Sequence, residues 1–325
     1  MRRLNWVARA MAKPTGKSFA PDTADNPNPF QSLGVKELLR GAIDLHSHPA
    51  PSLVPREWDV LEVAEHYAQL GFRGAVAKSH DHPTYAELAM AEHRGLDALA
   101  PFTFWSSIVL NSQVGGLNPW AVDTALMAGA KIVWLPTLSA RNHLTYFLRP
   151  GRKHPASIAS RLSPRVVDIV DDRGRVLEDL RTIIRLVGDA GAVLASGHIS
   201  GAECVAAFEY AAEAGVHRLL VTHPPNISEV SFSQARELVS FGAFLEHTIM
   251  GYDELSHRKR PISQLVEWLK EFGPAHSVIS SDFGLAGRGM PGDAYIRLVD
   301  RLLGEGFSGQ DVRTVVSTNP SLLLT

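Results

Sequence analysis

The segment AIDLHSH, residues 42–48, is a short apolar run that ends in two histidines, and its pattern recurs along the chain. Seven further apolar runs follow it, and stretches with helical periodicity separate them. These runs are GAVAKSH (74–80), FTFWSSIVL (102–110), AKIVWLPT (130–137), GAVLASGH (191–198), RLLVTHP (218–224), GAFLEHTIM (242–250) and HSVISSD (276–282). Short runs rich in β-branched residues that alternate with helices are typical of repeated βα units around a parallel sheet.

Eight βα units predict an α/β fold, a closed (β/α)8 barrel of the TIM type. An open doubly wound sheet is disfavoured because no glycine-rich phosphate loop follows the first run. The fourth unit carries a long loop insertion, from Leu138 to Val176, with a candidate hairpin at residues 166–177. Residues 1–32 are first basic and then rich in Pro and Asn, so we expect a disordered or extended arm there and a barrel domain over residues 33–325.

The composition argues against several classes of partner. The formal net charge of -2 predicts no affinity for nucleic acid. No apolar stretch approaches the roughly 20 residues that cross a bilayer, so we expect no membrane partner. Cys204 is the one cysteine, which excludes an intrachain disulfide and favours a cytoplasmic location. We expect a small-molecule substrate, and a homo-oligomer is an open alternative.

Side chains able to bind metal collect at the ends of the apolar runs. In such barrels the catalytic groups project from the carboxyl ends of the strands. The residues concerned are His46 and His48 in the first run, Lys78 and His80 in the second, His198 in the fifth, His223 in the sixth and Asp282 in the eighth. Any one of these histidines could equally cap its strand by bonding a loop, but their shared position favours one common site.

The alternation of side chains along a strand predicts that Asp44, His46 and His48 face one side, towards the barrel mouth. Imidazole nitrogens suit Zn²⁺ and similar ions, and two histidines with a carboxylate and an open position form a hydrolytic site. We therefore expect a divalent metal, with zinc first and manganese or iron as alternatives.

Together these residues resemble the amidohydrolase superfamily, whose pattern is His-x-His after strand one, His after strands five and six, and Asp after strand eight. The resemblance runs from about Ala42 to the chain end, where STNPSLLL (317–324) is similar to a closing Asn-Pro element. It implies that His46, His48, His198, His223 and Asp282 bind metal. It also implies a hydrolase in which a metal-activated water cleaves an amide, lactone or ester bond, with Asp282 as the proton acceptor. His223 or His198 would orient the substrate if one ion is bound.

One feature departs from that family pattern. Many members carry a carboxylated lysine after strand four, but the fourth run here has no lysine at its end, and the available one is Lys78 in the second run. A carboxylated Lys78 would bridge two ions, whereas a free amine would bind substrate or pair with a carboxylate. The sequence thus predicts one ion and favours a second only slightly.

Further candidates lie in the loops at the same face, and each has solvation as its ordinary alternative. We expect His80, His143, Glu246 and Arg149 to contact substrate. Of Glu246 and His247, which end the seventh run, one must face the mouth. Arg152, Lys153, Arg258, Lys259 and Arg260 form basic clusters that would suit an anionic group.

Two other enzyme classes share parts of this pattern. Phosphoesterases of the polymerase-and-histidinol-phosphatase type open with a similar Asp-Leu-His-Ser-His, but they expect a histidine where this chain has Phe283. Some relatives of the amidohydrolases use the same ligands to decarboxylate or hydrate carbon acids. Such a lyase would use one metal and no bridging lysine, so metal content and the state of Lys78 discriminate the two.

Overall fold

The computed structural model describes residues 29–151, 162, 165–255 and 260–325. Its parallel strands lie within the apolar runs predicted from the sequence. Each strand pairs with the next in parallel except between β3 and β4. The bounds are β1 Ile43–Ser47, β2 Gly74–Ala77, β3 Thr103–Trp105, β4 Ser107–Val109, β5 Ile132–Trp134, β6 Val193–Ala195, β7 Leu219–Thr222, β8 Phe244–Thr248 and β9 Ser277–Ser280.

Helices separate the strands at the predicted places. Several begin at a Ser or Asp whose side chain accepts a hydrogen bond from the first turn, as Ser200 does from the amide of Glu203. The bounds are α1 Pro29–Leu38, α2 Val60–Gln69, α3 Tyr85–Glu92, α4 Pro119–Met127, α5 Arg141–Leu148, α6 Glu178–Asp189, α7 Gly201–Glu213, α8 Phe232–Ser240, α9 Ile262–Phe272, α10 Pro291–Gly304, α11 Gly309–Arg313 and α12 Asn319–Leu324.

The predicted (β/α)8 barrel is confirmed, with one strand interrupted. The run 102–110 was expected as a single strand, but it breaks at Ser106 into β3, which pairs with β2, and β4, which pairs with β5. Beyond β9 the chain returns to β1, where the Asp282 amide donates to the His46 carbonyl at 2.7 Å and the His48 amide to the Phe283 carbonyl at 2.8 Å. These bonds join the segment after the last strand to the first strand at the candidate ligands His46, His48 and Asp282.

Buried apolar side chains fill the barrel interior below the candidate site. Alternate strand residues, with the buried Trp134 at their centre, fill it together with Leu323 and Leu324 of α12. The predicted Asn-Pro element supplies this closure, because the Asn319 amide donates to the Pro274 and Ser277 carbonyls at 2.8 and 2.7 Å. Since Ser277 starts β9, α12 covers the end of the barrel opposite the ligands.

The predicted alternation along β1 is wrong for Asp44. Ile43 and Leu45 face the interior, whereas Asp44 points to the helix layer and accepts a hydrogen bond from the Tyr67 hydroxyl at 2.6 Å. The register of β1 against β2 shifts between Asp44 and Ser47. This irregularity re-aims the following side chain, as bulges do. His46 therefore turns inward, where its ring centre lies 4.8 Å from that of Trp134.

The insertion after β5 contains α5 and a narrow hairpin, in which the Asp171 amide donates to the Arg175 carbonyl at 2.9 Å. Residues 1–28 of the predicted arm lie outside the described residues, and residues 29–32 are the start of α1. The boundary at residue 33 therefore stays a prediction. In the described parts of the chain, no helix combines the length and the apolar character that crossing a membrane requires.

Candidate metal centre

Three ligand atoms from the first and last strand ends converge at the barrel mouth. His46 Nε2 lies 3.2 Å from His48 Nε2 and 3.2 Å from Asp282 Oδ1, and His48 Nε2 lies 3.3 Å from that same oxygen. Within the described residues, these three side chains are the group of possible ligands whose atoms lie within 4.8 Å of one another. We call His46, His48 and Asp282 the metal triad.

Contacts behind the two imidazoles set which nitrogen faces the triad. His48 Nδ1 is 2.7 Å from the Lys78 carbonyl oxygen, and His46 Nδ1 is 3.2 Å from Glu246 Oε2. Burial alone would raise the pKa of Glu246, but the adjacent His46 outweighs it and lowers that pKa, so this carboxylate also accepts. The proton of His48 is therefore on Nδ1, and its Nε2 presents a lone pair to the triad. Glu246 likewise holds the Nδ1–H of His46. Burial alone would lower the pKa of His46, but Asp282 and Glu246 outweigh burial and raise it, so His46 Nε2 presents a lone pair when the ring is in its neutral form.

A divalent ion fits these donors. When both rings are neutral, two lone pairs and a carboxylate oxygen face one point, which is the form of these ligands that binds a cation. Ligands of a tetrahedral zinc ion, each about 2.0–2.1 Å from the metal, lie about 3.3–3.4 Å apart. The observed separations of 3.2–3.3 Å match one face of such a tetrahedron.

Lys78 places a primary amine beside the metal triad. Its Nζ lies 3.0 Å from His46 Nε2 and 3.8 Å from the centre of the Trp134 ring. Burial lowers the pKa of Lys78 to about 8, against the opposing pull of Asp282. A lysine with this pKa has an accessible neutral amine, which is the form that adds CO₂ to become a carbamate. Both predicted states of Lys78 remain predictions.

The remaining predicted ligands, His198 and His223, form a second group beside the triad. Their ring centres lie 4.9 Å apart, and that of His223 lies 6.3 Å from His46. His198 Nδ1 is 2.7 Å from His143 Nδ1, with nearly parallel rings, so the insertion contributes a residue to the site. His80 Nδ1 lies 2.9 Å from the Thr137 hydroxyl, and the His80 ring is tilted against that of His48 with ring centres 4.8 Å apart. Their roles in binding metal or substrate stay predictions.

Burial keeps most of these imidazoles neutral. It lowers the pKa of His48, His80 and His198 well below the ordinary range, and that of His223 to about 4. Neutral imidazole is the form that binds metal. The Asp282 carboxyl behaves oppositely: burial alone would raise its pKa, but His46 and His48 hold the pKa well below its usual range.

Two of the site residues have strained backbones. His223 has a φ of 32° and Asp282 a φ of 57°, in the left-handed region that non-glycine residues seldom adopt. Such strain persists where the surrounding structure over-determines it, and it is concentrated at functional sites. His223 directly follows β7, and Asp282 follows β9 after one intervening residue, so both strained residues lie at strand ends that carry predicted ligands.

A family model matches residues 41–246, which is more than half of the chain. The match includes four of the five metal ligands that the resemblance implies: His46, His48, His198 and His223. Its description is "Family of unknown function (DUF6282)". The chain belongs to this family. A search of curated proteins found no match.

Solved structures show that this DUF6282 member shares its fold with a probable dipeptidase, an amidohydrolase and an organophosphorus hydrolase. The probable dipeptidase PvdM from Pseudomonas aeruginosa superposes with a TM-score of 0.59 at 12% identity, over 91% of this chain and 98% of that one. An amidohydrolase from the same organism gives 0.59 at 12%, over 90% and 98%. An organophosphorus hydrolase from Deinococcus radiodurans gives 0.53 at 12%, over 90% and 94%. At such identities the likeness establishes the fold.

Two predicted substrate contacts are engaged elsewhere in this DUF6282 chain. Glu246 is fully buried and contacts His46, and Arg149 forms a two-fold ion pair with Glu229, with Nη1 2.6 Å from Oε1. Their binding of substrate stays a prediction. Of the basic clusters, Arg152, Lys153, Arg258 and Lys259 lie outside the described residues.

Sequence reasoning missed Arg56. Its guanidinium is 7% exposed and lies 3.4 Å from His48 Nδ1. Because that nitrogen already donates to the Lys78 carbonyl, Arg56 is a buried cation behind the triad, and burial lowers its pKa to about 10. It follows Pro55 in a loop with no periodicity, so no sequence signal distinguished it from a solvated arginine.

Proposed function

We propose that this protein is a metal-dependent hydrolase that cleaves an amide, lactone or ester bond of a small molecule. The observation that carries the proposal is the metal triad, whose three lone-pair donors are spaced as one face of a tetrahedral site. The fold is shared with a probable dipeptidase, an amidohydrolase and an organophosphorus hydrolase, which supports hydrolysis as the chemistry.

When bound, the ion supplies an activated water and polarises the oxygen of the scissile bond. Glu246 and the Lys78 carbonyl hold His46 and His48 as the tautomers that bind it. Asp282 stays ionised, so its carboxylate accepts a proton from the attacking water and returns it to the leaving group. His198 and His223, both neutral, orient the substrate or hold a second ion.

The finer assignments extend this proposal. We assign zinc as the ion, because imidazole and carboxylate ligands in tetrahedral spacing suit it, with manganese and iron as alternatives. A formal net charge of -2 and a single cysteine support a cytoplasmic enzyme that acts on small molecules and not on nucleic acid.

Metal content and turnover of matched variants test the proposal. Protein purified without chelator should contain at least one divalent ion per chain, and His46→Ala should lose it. The exposed His217→Ala is the control and should keep it. Asp282→Asn should retain metal yet lose turnover in a screen of lactones, N-acyl amino acids and phosphoesters.

Two results would contradict it. One is the absence of any stoichiometric ion after Zn²⁺ or Mn²⁺ is added. The other is near-full activity of Asp282→Asn on whichever substrate the screen identifies.

A further inference from the structure

His80 follows β2 at the barrel mouth, and its ring lies beside both groups of candidate ligands. The ring centre is 4.8 Å from that of His48 in the metal triad and 6.3 Å from that of His198. The residue is partly exposed, whereas the preceding Ser79 is buried. A side chain this close to a triad histidine is within reach of a small molecule bound at the triad.

A buried amide behind His80 has a fixed orientation. Asn111 lies two residues beyond β4 and is fully buried. Its Oδ1 accepts hydrogen bonds from the amides of Thr137 at 2.8 Å and Ser139 at 3.1 Å. Because two backbone N–H groups identify that atom as the oxygen, Nδ2 must be the donor. It donates to the His80 carbonyl at 3.1 Å and to the Thr137 hydroxyl at 2.7 Å.

The Thr137 hydroxyl must in turn donate to His80. Its oxygen already accepts from Asn111, and it lies 2.9 Å from His80 Nδ1. Thr137 is fully buried, so its hydroxyl hydrogen needs an acceptor inside the protein. Among the described residues, His80 Nδ1 is the acceptor that this hydroxyl contacts. The proton of this hydrogen bond therefore belongs to Thr137.

This bond decides the tautomer of His80. A ring that accepts at Nδ1 carries its proton on Nε2 and is neutral. His48 has the opposite tautomer, which leaves its Nε2 free to bind an ion, whereas His80 Nε2 has no lone pair to offer. Among the described residues, no acceptor contacts the Nε2–H of His80. The hydrogen bonds from Asn111 and Thr137 thus hold a neutral N–H donor in place beside the metal triad.

We propose that His80 is a catalytic hydrogen-bond donor whose Nε2–H binds the oxygen of the scissile bond. The negative charge that develops on this oxygen when water attacks the carbonyl carbon is stabilised by the bond, and the proton stays on Nε2. A neutral imidazole can polarise a carbonyl oxygen in this way, and a donor already in position has no reorganisation cost. Thr137 and Asn111 are positioning residues. The proposal rests on the proposed function and assigns a role within it.

Nuclear magnetic resonance of zinc-loaded protein labelled with ¹⁵N-histidine tests the tautomer without turnover. Long-range ¹H–¹⁵N couplings show which ring nitrogen carries the proton, and the signal missing from His80→Gln identifies His80. We expect the Nε2-protonated form. Thr137→Val removes the hydroxyl but keeps the bond from Asn111 to the His80 carbonyl, and it should populate both tautomers. Thr137→Ser keeps a hydroxyl and should keep the wild-type signal. A wild-type His80 that is protonated on Nδ1 overturns the proposal.

Hydrolysis of 4-nitrophenyl acetate by the zinc-loaded protein tests the catalytic role. His80→Phe should lower kcat by about a hundredfold to a thousandfold, with KM and zinc content unchanged, because the lost bond acts in the transition state. His80→Gln places an amide N–H near the Nε2 position and should recover at least about tenfold of that loss. The exposed His217→Phe is the control and should match the wild type. A kcat of His80→Phe within about threefold of the wild type would overturn the role.

Binding of acetohydroxamate, measured by calorimetry on the zinc-loaded protein, separates this proposal from the hydrolase proposal. Its charged oxygen should lose about tenfold to a hundredfold in affinity in His80→Phe, as expected for a hydrogen bond to a charged group. If that loss occurs but no ester is hydrolysed, the donor stands and the hydrolase proposal fails. If the ester is hydrolysed equally well by His80→Phe, hydrolysis stands and the role of His80 fails.

Discussion

The Ser281 amide donates a hydrogen bond to Asp44 Oδ1 at 2.8 Å, and this bond ties the last strand to the first one residue before Asp282. The same carboxylate accepts from the hydroxyls of Tyr67 at 2.6 Å and Tyr295 at 3.3 Å, which belong to α2 and α10. Asp44 thus fixes the strand end that carries one ligand of the metal triad to two helices of the outer layer.

Asp44→Ala should therefore be strongly destabilising. It leaves the Ser281 amide and the Tyr67 hydroxyl buried without an acceptor, and each such group costs about 1–3 kcal/mol. We expect the free energy of unfolding in urea to fall by about 3–5 kcal/mol in total. Asp168→Ala, which removes an exposed partner of Arg141, is the control and should cost below about 1 kcal/mol. Equal losses in the two variants would refute this role for Asp44.

Asp44 also shows where prediction from the sequence stops. The strand ends could be predicted because short apolar runs that finish in His46, His198, His223 or Asp282 can be recognised from the sequence alone. The direction of the Asp44 side chain was not, because it depends on a register shift between β1 and β2. Such a shift is set by how two strands far apart in sequence pair, and strand alternation alone cannot reveal it.

Glu246→Gln should weaken metal binding while leaving the fold intact. Glu246 Oε2 holds His46 through Nδ1, and loss of such a partner behind a histidine ligand typically costs tenfold to a hundredfold in metal affinity, roughly. Competition with a chromophoric chelator measures the change. Glu237→Gln, an exposed substitution on α8, is the control. An unchanged zinc affinity in Glu246→Gln would mean that this carboxylate does not orient His46.

The partner of His46 could not have been assigned in advance for a similar reason. Sequence alone established that Glu246 or His247 must face the mouth, since neighbours on a strand point to opposite sides. The structure separates the two: Glu246 points inward to His46, and the His247 ring lies beside Trp268 of α9, with ring centres 6.0 Å apart. Because 200 residues separate Glu246 from His46, only the closed barrel brings them together.

We expect the state of Lys78 to determine how many ions the protein binds. With a pKa of about 8, a large share of its amine is neutral at pH 8.5, so saturating bicarbonate should convert it to a carbamate and raise the zinc content from one ion towards two per chain. Lys78→Met should stay at one ion under the same conditions. Elemental analysis gives the stoichiometry, and a carbamate carbon signal from ¹³C-bicarbonate reports the adduct. If the wild-type protein holds a single ion throughout and shows no such signal, Lys78 acts as an amine.

The buried His247 should make stability depend on pH in a direction that its pKa fixes. The ordinary imidazole pKa is 6.5, and burial lowers it to about 4 in the folded protein. Above pH 6.5 neither state binds this proton, so stability is complete. As the pH falls from 6.5 to about 4, the unfolded chain takes up a proton that the folded chain does not, and the free energy of unfolding falls.

This contribution amounts to at most about 1.4 kcal/mol per pH unit. Urea unfolding of the metal-free protein at a series of pH values therefore should show a shallower pH dependence for His247→Leu than for the wild type, with the difference confined to the interval between 6.5 and about 4. Removing the metal with chelator first is necessary, because protonation of the ligands would otherwise add its own slope. Parallel curves for the two proteins would show that His247 titrates alike in the folded and unfolded states, and hence that burial does not hold its ring neutral.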